Sequence, residues 1–338
     1  MKILCINNYD LEWAYKDEGN VPIHQTWGVS YLRKKGFEVK CIEILPANSL
    51  ISKIASHIKQ LFITINVLLF SRYDLIIAFY SPCLIIKLLC VIKKRISIRP
   101  RLFMMIHHYG TDLRKFNCCE KIFFLSRPIM ERYMNEFKIS NGIAIDWAAD
   151  LPFYEQTYNK MKGDEKVRLN SPILISTGKS SRDNCLLAQA CEDLKVECLI
   201  FDDESVKSRY GNSKYIKIVK RKGYPYMLEV MSKCAINVVP CKNGKNSLCG
   251  LTSVIDGFAL GMPTIVSDNC NLSYNIDKDG IGLVYKAGDL EDLKDKITQL
   301  ISDPKLMKQM GGGYQGNSQK CMTITTIVKL FIKTYFSK

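Results

Sequence analysis

The sequence predicts an α/β protein with two parallel-sheet domains, and three observations predict it. The chain opens with a strand–loop–helix–strand unit over Lys2–Ile44. A second series of short apolar strands alternating with helical segments begins at Pro172. Between them, 155–170 is polar, charged and without a clear period, which reads as a linker. At 338 residues the chain is long enough for two cores.

In order, Lys2–Asn7 (KILCIN) is a short apolar strand and Asn8–Pro22 a polar loop containing Gly19 and Asn20. His24–Lys35 has helical spacing and stops at Gly36 as a C-cap, and Glu38–Ile44 is the second strand. Ser49–Phe70 is long, mostly apolar and helical in period, with Lys53, His57 and Lys59 on it. Asp74–Phe79 reads as a buried strand, Pro82–Lys94 as an apolar helix and Leu102–Ile106 as a strand that runs into His107 and His108. Lys121–Ser126 is a strand and Pro128–Phe137 a helix. No uninterrupted apolar run reaches the ~20 residues needed to cross a bilayer, so no transmembrane helix is expected.

In the second half, strands are expected at Pro172–Ser176, Glu197–Phe201, Tyr215–Lys220 and Ala235–Pro240, and helices at Cys185–Leu194, Tyr224–Ser232 and Leu290–Ile301. Thr323–Phe336 reads as a final amphipathic helix. Gly311–Gly316 (GGGYQG) matches a dinucleotide fingerprint by letter, but it follows a helix and lies outside any β-α-β unit, so it is rejected as one.

The net charge of +15 asks for an anionic partner: nucleotide phosphates, nucleic acid or an anionic membrane. Lys87–Arg101 carries six lysines and arginines on an apolar background, and two readings stand: a basic surface lying on anionic lipid, or a helix packed on a sheet with a solvated basic end. A nucleic-acid face is not expected, because no aromatic residues interleave with this basic run. The 14 cysteines include no Cys-x-x-Cys pair and there are four histidines, so a zinc site lacks its spacing and buried reduced thiols are expected. Asp202-Asp203-Glu204 and Asp277/Asp279 read as loop acids, so no metal is expected. Met1 runs straight into a strand, and no signal peptide is expected. The expected location is the cytoplasm, with peripheral attachment to the inner face of the cell membrane left open.

Two stretches carry chemistry. Cys249–Asp268 (CGLTSVIDGFALGMPTIVSD) reads as turn, helix, turn, strand: Gly250 opens the turn, Thr252 or Ser253 caps the helix, and Gly261 and Pro263 end it. Amides near Gly250, Leu251 and Thr252, reinforced by the helix dipole, favour a phosphate there. Thr177–Asp183 (TGKSSRD) sets Lys179 and Arg182 around Gly178, just before a helix, which suits a diphosphate.

The segment Asp256–Ile265 (DGFALGMPTI) resembles the donor-binding segment of retaining GT-B glycosyltransferases, family 4 in particular, in which Glu, seven residues and Glu precede Ala-Met-Ala-x-Gly-x-Pro-Val-Ile. Asp256 stands at the second Glu, and Leu248 at the first. Gly36–Val39, the approach Ile145–Tyr154 with Asp150 and Phe153, Lys179 with Arg182-Asp183, and Gly280–Val284 are similar to further family features, so the resemblance touches most of the chain. It implies two Rossmann-like domains facing a central cleft: 1–155 for the acceptor, 171–315 for the donor, and 316–338 as a helix crossing back to the first domain.

The resemblance further implies transfer of a sugar, with retention, from a UDP- or GDP-linked donor to a glycan or lipid-linked acceptor in polysaccharide or glycoconjugate synthesis, with no cofactor besides the donor. Asp256 would hold the donor ribose, His107 or His108 would face the sugar, and Gly19, Asn20 and His24 would line the acceptor side. An inverting enzyme would instead need a base such as Asp112, Asp17 or Glu18. Leu248 also leaves open a nucleotide-sugar-binding protein without catalysis.

Overall fold

The computed structural model describes residues 1–16, 20–44, 49–70, 72–80, 83–145, 147, 149–161, 169–178, 180–242, 248–317 and 333. The chain divides into two units, the first of residues 1–147 and the second starting at 148. The helix expected over 323–336 lies, Lys333 apart, outside the described residues, and so does its return to the first domain.

The first unit holds six strands: β1 Lys2–Asn7, β2 Glu38–Glu43, β3 Leu75–Ala78, β4 Arg101–Ile106, β5 Lys121–Phe124 and β6 Gly142–Ala144. They form one sheet in the order β2-β1-β3-β4-β5-β6, with every pairing parallel. The central strands are continuous apolar runs because helices cover both faces of such a sheet, leaving no side for alternating polar residues. Its helices are α1 Leu11–Lys16, α2 Val29–Lys34, α3 Leu50–Leu69, α4 Leu84–Lys93 and α5 Arg127–Phe137. Ser49 and Ser52 cap α3 reciprocally, and Ser126 caps α5 ahead of Pro128.

Two expectations need correction here. The loop Asn8–Pro22 contains α1, which Glu12 ties to Arg33 of α2. The single helix expected over His24–Lys35 is broken: a 3₁₀ turn, Ile23–Thr26, precedes α2. Trp27 and Gly28 between them take left-handed φ of 54° and 78°. The Trp27 ring stacks on Phe79 at 5.4 Å and tilts against Trp147 at 4.5 Å, and burial of that ring outweighs local helix propensity.

The second unit opens with α6 Leu151–Met161, so the stretch read as linker begins as helix; 162–168 lie outside the described residues. Its strands are β7 Leu174–Ser176, β8 Cys198–Phe201, β9 Ile216–Val219, β10 Ile236–Val239, β11 Thr264–Ser267 and β12 Gly282–Tyr285. They run parallel in the order β12-β11-β10-β7-β8-β9. The helices that follow α6 are α7 Asn184–Leu194, α8 Glu204–Tyr210, α9 Tyr224–Ser232, α10 Leu251–Ala259, α11 Leu290–Ser302 and α12 Pro304–Asn317. Gly311–Gly316 lies within α12, which has no strand before it. The core gathers Leu174, Ile200, Ile236 and Ile265 from the sheet with Leu187, Leu293 and Ile297 from helices.

Candidate functional site

In the second sheet the strand order reverses between β7 and β10, and neighbouring strands whose connections depart to opposite sides open a crevice at their carboxyl ends. Thr177 and Gly178 follow β7, Cys241 follows β10, and an antiparallel bridge between Arg182 and Cys241 ties the two exits. The first turn of α10 reaches the same place. Gly250, its N-cap residue, has φ 78°, and a Cβ there would lie 2.4 Å from Val239 Cγ1, so only glycine fits the turn. No side chain caps this helix: Thr252 and Ser253, expected as caps, lie inside its first turn.

Arg182 is 8% exposed. Its Nη1 donates to the Ser180 carbonyl at 3.0 Å and to Cys241 Sγ at 3.4 Å, and its Nη2 donates to Ser253 Oγ at 3.1 Å. The Thr177 hydroxyl donates to the same Ser253 oxygen at 3.3 Å. Nε is buried with no hydrogen-bond partner, and among the described residues no carboxylate pairs with this guanidinium. Gly178 leaves room for it, since a Cβ at that position would fall 2.1 Å from Nε and Nη2. A buried cation held by three neutral acceptors keeps an uncompensated charge, and the amino end of α10 adds to it. Lys179, the other expected cation, lies outside the described residues.

Asp256, on α10, is 2% exposed, and its Oδ1 accepts from the hydroxyls of Tyr154 and Tyr224, which stand 2.8 Å apart. Burial pushes this carboxyl up to about 6, against the pull of the two hydroxyls and of Arg221. Sequence reasoning missed both tyrosines, which sit 102 and 32 residues from Asp256. The nearest signal was the Asp150/Phe153 approach just before Tyr154. Leu248 is buried.

The acids expected to be structural have structural partners. Asp202 pairs with Arg221 at 3.4 Å, Asp203 caps α8 through the Ser205 and Val206 amides, and Asp277 accepts from the Val284 amide. Among the described residues no group of three or more His, Cys, Asp and Glu side chains is placed to hold a metal ion.

In the first unit, His107 follows β4 and its Nε2 is 2.8 Å from the Phe79 carbonyl oxygen, so Nε2 carries the proton and donates while Nδ1 is left as an acceptor. Burial lowers its pKa to about 4, and the ring is neutral at physiological pH. His108 is exposed, and partial burial lowers its pKa as well. Of the expected acceptor-side residues, Asn20 is exposed in a turn, and Gly19 lies outside the described residues, as do Asp17 and Glu18. His24 is wholly buried, edge-on to Trp147 at 6.0 Å with its pKa lowered to about 3 by burial, so its ring faces protein rather than an acceptor. Asp112 is bound to Arg114 at 2.9 Å and caps a 3₁₀ turn.

Residues 190–313 match the family model described as Glycosyl transferases group 1. No match was found among curated proteins. Among solved structures, the chain is similar to sucrose-phosphate synthase from Thermosynechococcus elongatus, with 13% identity over 99% of both chains and a TM-score of 0.75. It is similar to Anabaena HepE in complex with UDP and glucose, with 14% identity over 100% of both chains and a TM-score of 0.68. A third likeness is to WaaG, a glycosyltransferase involved in lipopolysaccharide biosynthesis, with 10% identity over 98% of both chains and a TM-score of 0.65. The chain therefore has the GT-B glycosyltransferase fold, and its residues 190–313 are similar to group 1 glycosyl transferases.

Proposed function

We propose that this chain transfers a sugar, with retention and without a metal, from a UDP- or GDP-linked donor to a glycan or lipid-linked acceptor in cell-surface polysaccharide or glycoconjugate synthesis, in the cytoplasm at the inner face of the membrane. The observation that carries this reading is the buried guanidinium of Arg182, with no carboxylate partner among the described residues, against the first turn of α10 at the switch point of the second sheet. A diphosphate supplies the missing negative charge. As the sugar leaves, charge grows on that diphosphate, and Arg182 with the α10 amides near Gly250–Thr252 stabilises it where it develops. Lys179 is assigned the same task from its place beside Gly178.

Asp256 holds the donor ribose. Its Oδ1 already accepts from two tyrosines, so the ribose displaces one hydroxyl, and half-buried Tyr224 yields more readily than buried Tyr154. His107 presents Nδ1 as an acceptor to a sugar hydroxyl, and its lowered pKa keeps it in that form. A base on the enzyme is not required, because with retention the departing phosphate takes the acceptor proton. The HepE structure in complex with UDP and glucose supports UDP as the first base to try.

The test is a thermal-shift series with UDP, GDP and their sugar conjugates on wild type and Arg182→Met. Wild type melts higher with one nucleotide family. Arg182→Met loses that shift, with affinity at least about thirtyfold weaker, as expected for ~2 kcal/mol from a charge-assisted contact. Because the variant removes an uncompensated buried charge, its melting point without ligand is equal to or above wild type. A wild type indifferent to every nucleotide, or a variant that keeps the shift, overturns the reading.

A second reading, a nucleotide-sugar-binding protein without turnover, is favoured by Leu248, an apolar buried residue where the family has an acid. Release of free UDP or GDP from the donor that binds, with and without candidate acceptors, separates the two.

A further inference from the structure

Helix α3 is built inside out. The residues it buries include Gln60 and Thr64 beside Val67, whereas Ile51, Ile54, Ile58, Phe62, Ile65 and Leu69 point to solvent, with Phe62 68% and Ile51 81% exposed. At 100° per residue these six fall within about a quarter of the helix circumference, so they form one continuous stripe about 30 Å long rather than scattered apolar residues. The orientation is locked. Gln60 Oε1 accepts from the Leu84 amide and so caps α4, and Thr64 returns its hydroxyl to the Gln60 carbonyl. Rolling α3 to hide the stripe would break that cap.

The apolar face of α4, which belongs to the Lys87–Arg101 surface considered for lipid, is by contrast in the core: Ile85, Ile86 and Leu89 are fully buried. Outside, α4 and the turn after it present charge together with the apolar Val91 and Ile96. Lys87, Lys94 and Arg95 are exposed there, as are Lys53 and Lys59 on α3. Across 45–111 there are nine lysines and arginines against a single acid, Asp74, and that acid is bound to Arg99 and the Lys2 amide. Among the described residues no helix is long and apolar enough to cross a membrane.

We infer that α3 lies flat on an anionic lipid bilayer, its apolar stripe at the headgroup boundary and the lysines of α3 and α4 on acidic headgroups. Charge favours this occupant over a second copy of the chain. Two copies meeting through α3 would bring two basic rims together, whereas an anionic bilayer accepts both the stripe and the rim. The inference deepens the proposed function by naming the surface that carries the enzyme to a lipid-linked acceptor, and it rests on that reading for the acceptor alone.

The experiment is flotation of the full chain with vesicles of phosphatidylcholine, with and without 30% phosphatidylglycerol, a composition of roughly the charge of a cytoplasmic leaflet. Wild type floats with the anionic vesicles and much less with the neutral ones, and raised salt weakens the binding. Ile58→Gln with Phe62→Gln lowers partitioning about tenfold or more and leaves the melting point unchanged, since both side chains are already exposed. Lys53→Gln with Lys59→Gln removes part of the salt-sensitive share.

Equal flotation of wild type and Ile58→Gln/Phe62→Gln overturns the inference. So does a wild-type dimer that this double variant converts to monomer, which assigns the stripe to a second copy. Failure of the proposed function shows elsewhere, as loss of the nucleotide-dependent thermal shift with flotation intact.

Discussion

Asp256 shows how a residue recognised by spacing acquires its chemistry from burial. Its folded pKa, about 6, lies above the usual carboxylate value of 3.8, so the fold favours the protonated form. The native state therefore binds more protons than the unfolded chain between pH ~4 and ~6, and this group's contribution to stability falls as pH rises through that window. Above pH ~6 the ionised carboxylate costs up to about 3 kcal/mol. Asp256→Asn keeps an acceptor for both tyrosines and cannot ionise. We expect it to melt above wild type at pH 7.5 and the gap to close as pH falls toward 4.5. A gap that is constant with pH rules this account out. Tyr154→Phe removes the buried one of the two donors to the carboxylate and is expected to destabilise the fold by about 1–3 kcal/mol in denaturant titration at pH 7.5.

At the scale of elements, the pairing of α3 with α4 depends on a polar side chain doing a backbone's work. The N-cap residue of α4, Cys83, makes no side-chain cap, and Gln60 supplies the acceptor from another helix. Gln60→Ala should cost about 1 kcal/mol, within the usual range for a lost cap, whereas Gln60→Glu, which retains the acceptor but buries a carboxylate, should cost more at neutral pH. Urea denaturation of the three proteins checks the order. Helix periodicity indicates α3 but not which way its apolar face turns, because an amphipathic pattern says which residues share a face and not which face meets the protein. The break at Trp27–Gly28 went unread for a related reason: it depends on Phe79 and Trp147, which are distant along the chain.

At the scale of the molecule, each unit carries its own sheet with its own switch point, and the two proposed ligands belong to different units. Hydrogen exchange should therefore give two separate footprints. The nucleotide found by thermal shift is expected to protect amides around 177–182 and 250–256 and leave α3 unchanged, while anionic vesicles protect α3 and leave the second-unit site unchanged. A vesicle footprint in the second unit, or none on α3, contradicts the assignment of the lipid face.

By itself the sequence determined the alternating strands and helices, the glycine turn into α10, the place of Arg182 beside Gly178, and the resemblance that joins them. All of these are written in short spacings, where apolar period, capping and left-handed turns act within a few residues. Only the tertiary structure decided that Arg182 is buried without a carboxylate among the described residues, that Tyr154 and Tyr224 cover Asp256, that His24 faces inward and that α3 turns its apolar stripe outward. Each of these is a matter of which distant groups meet and how much water is left between them. Folding brings such groups together across tens of residues, and no local pattern records the meeting.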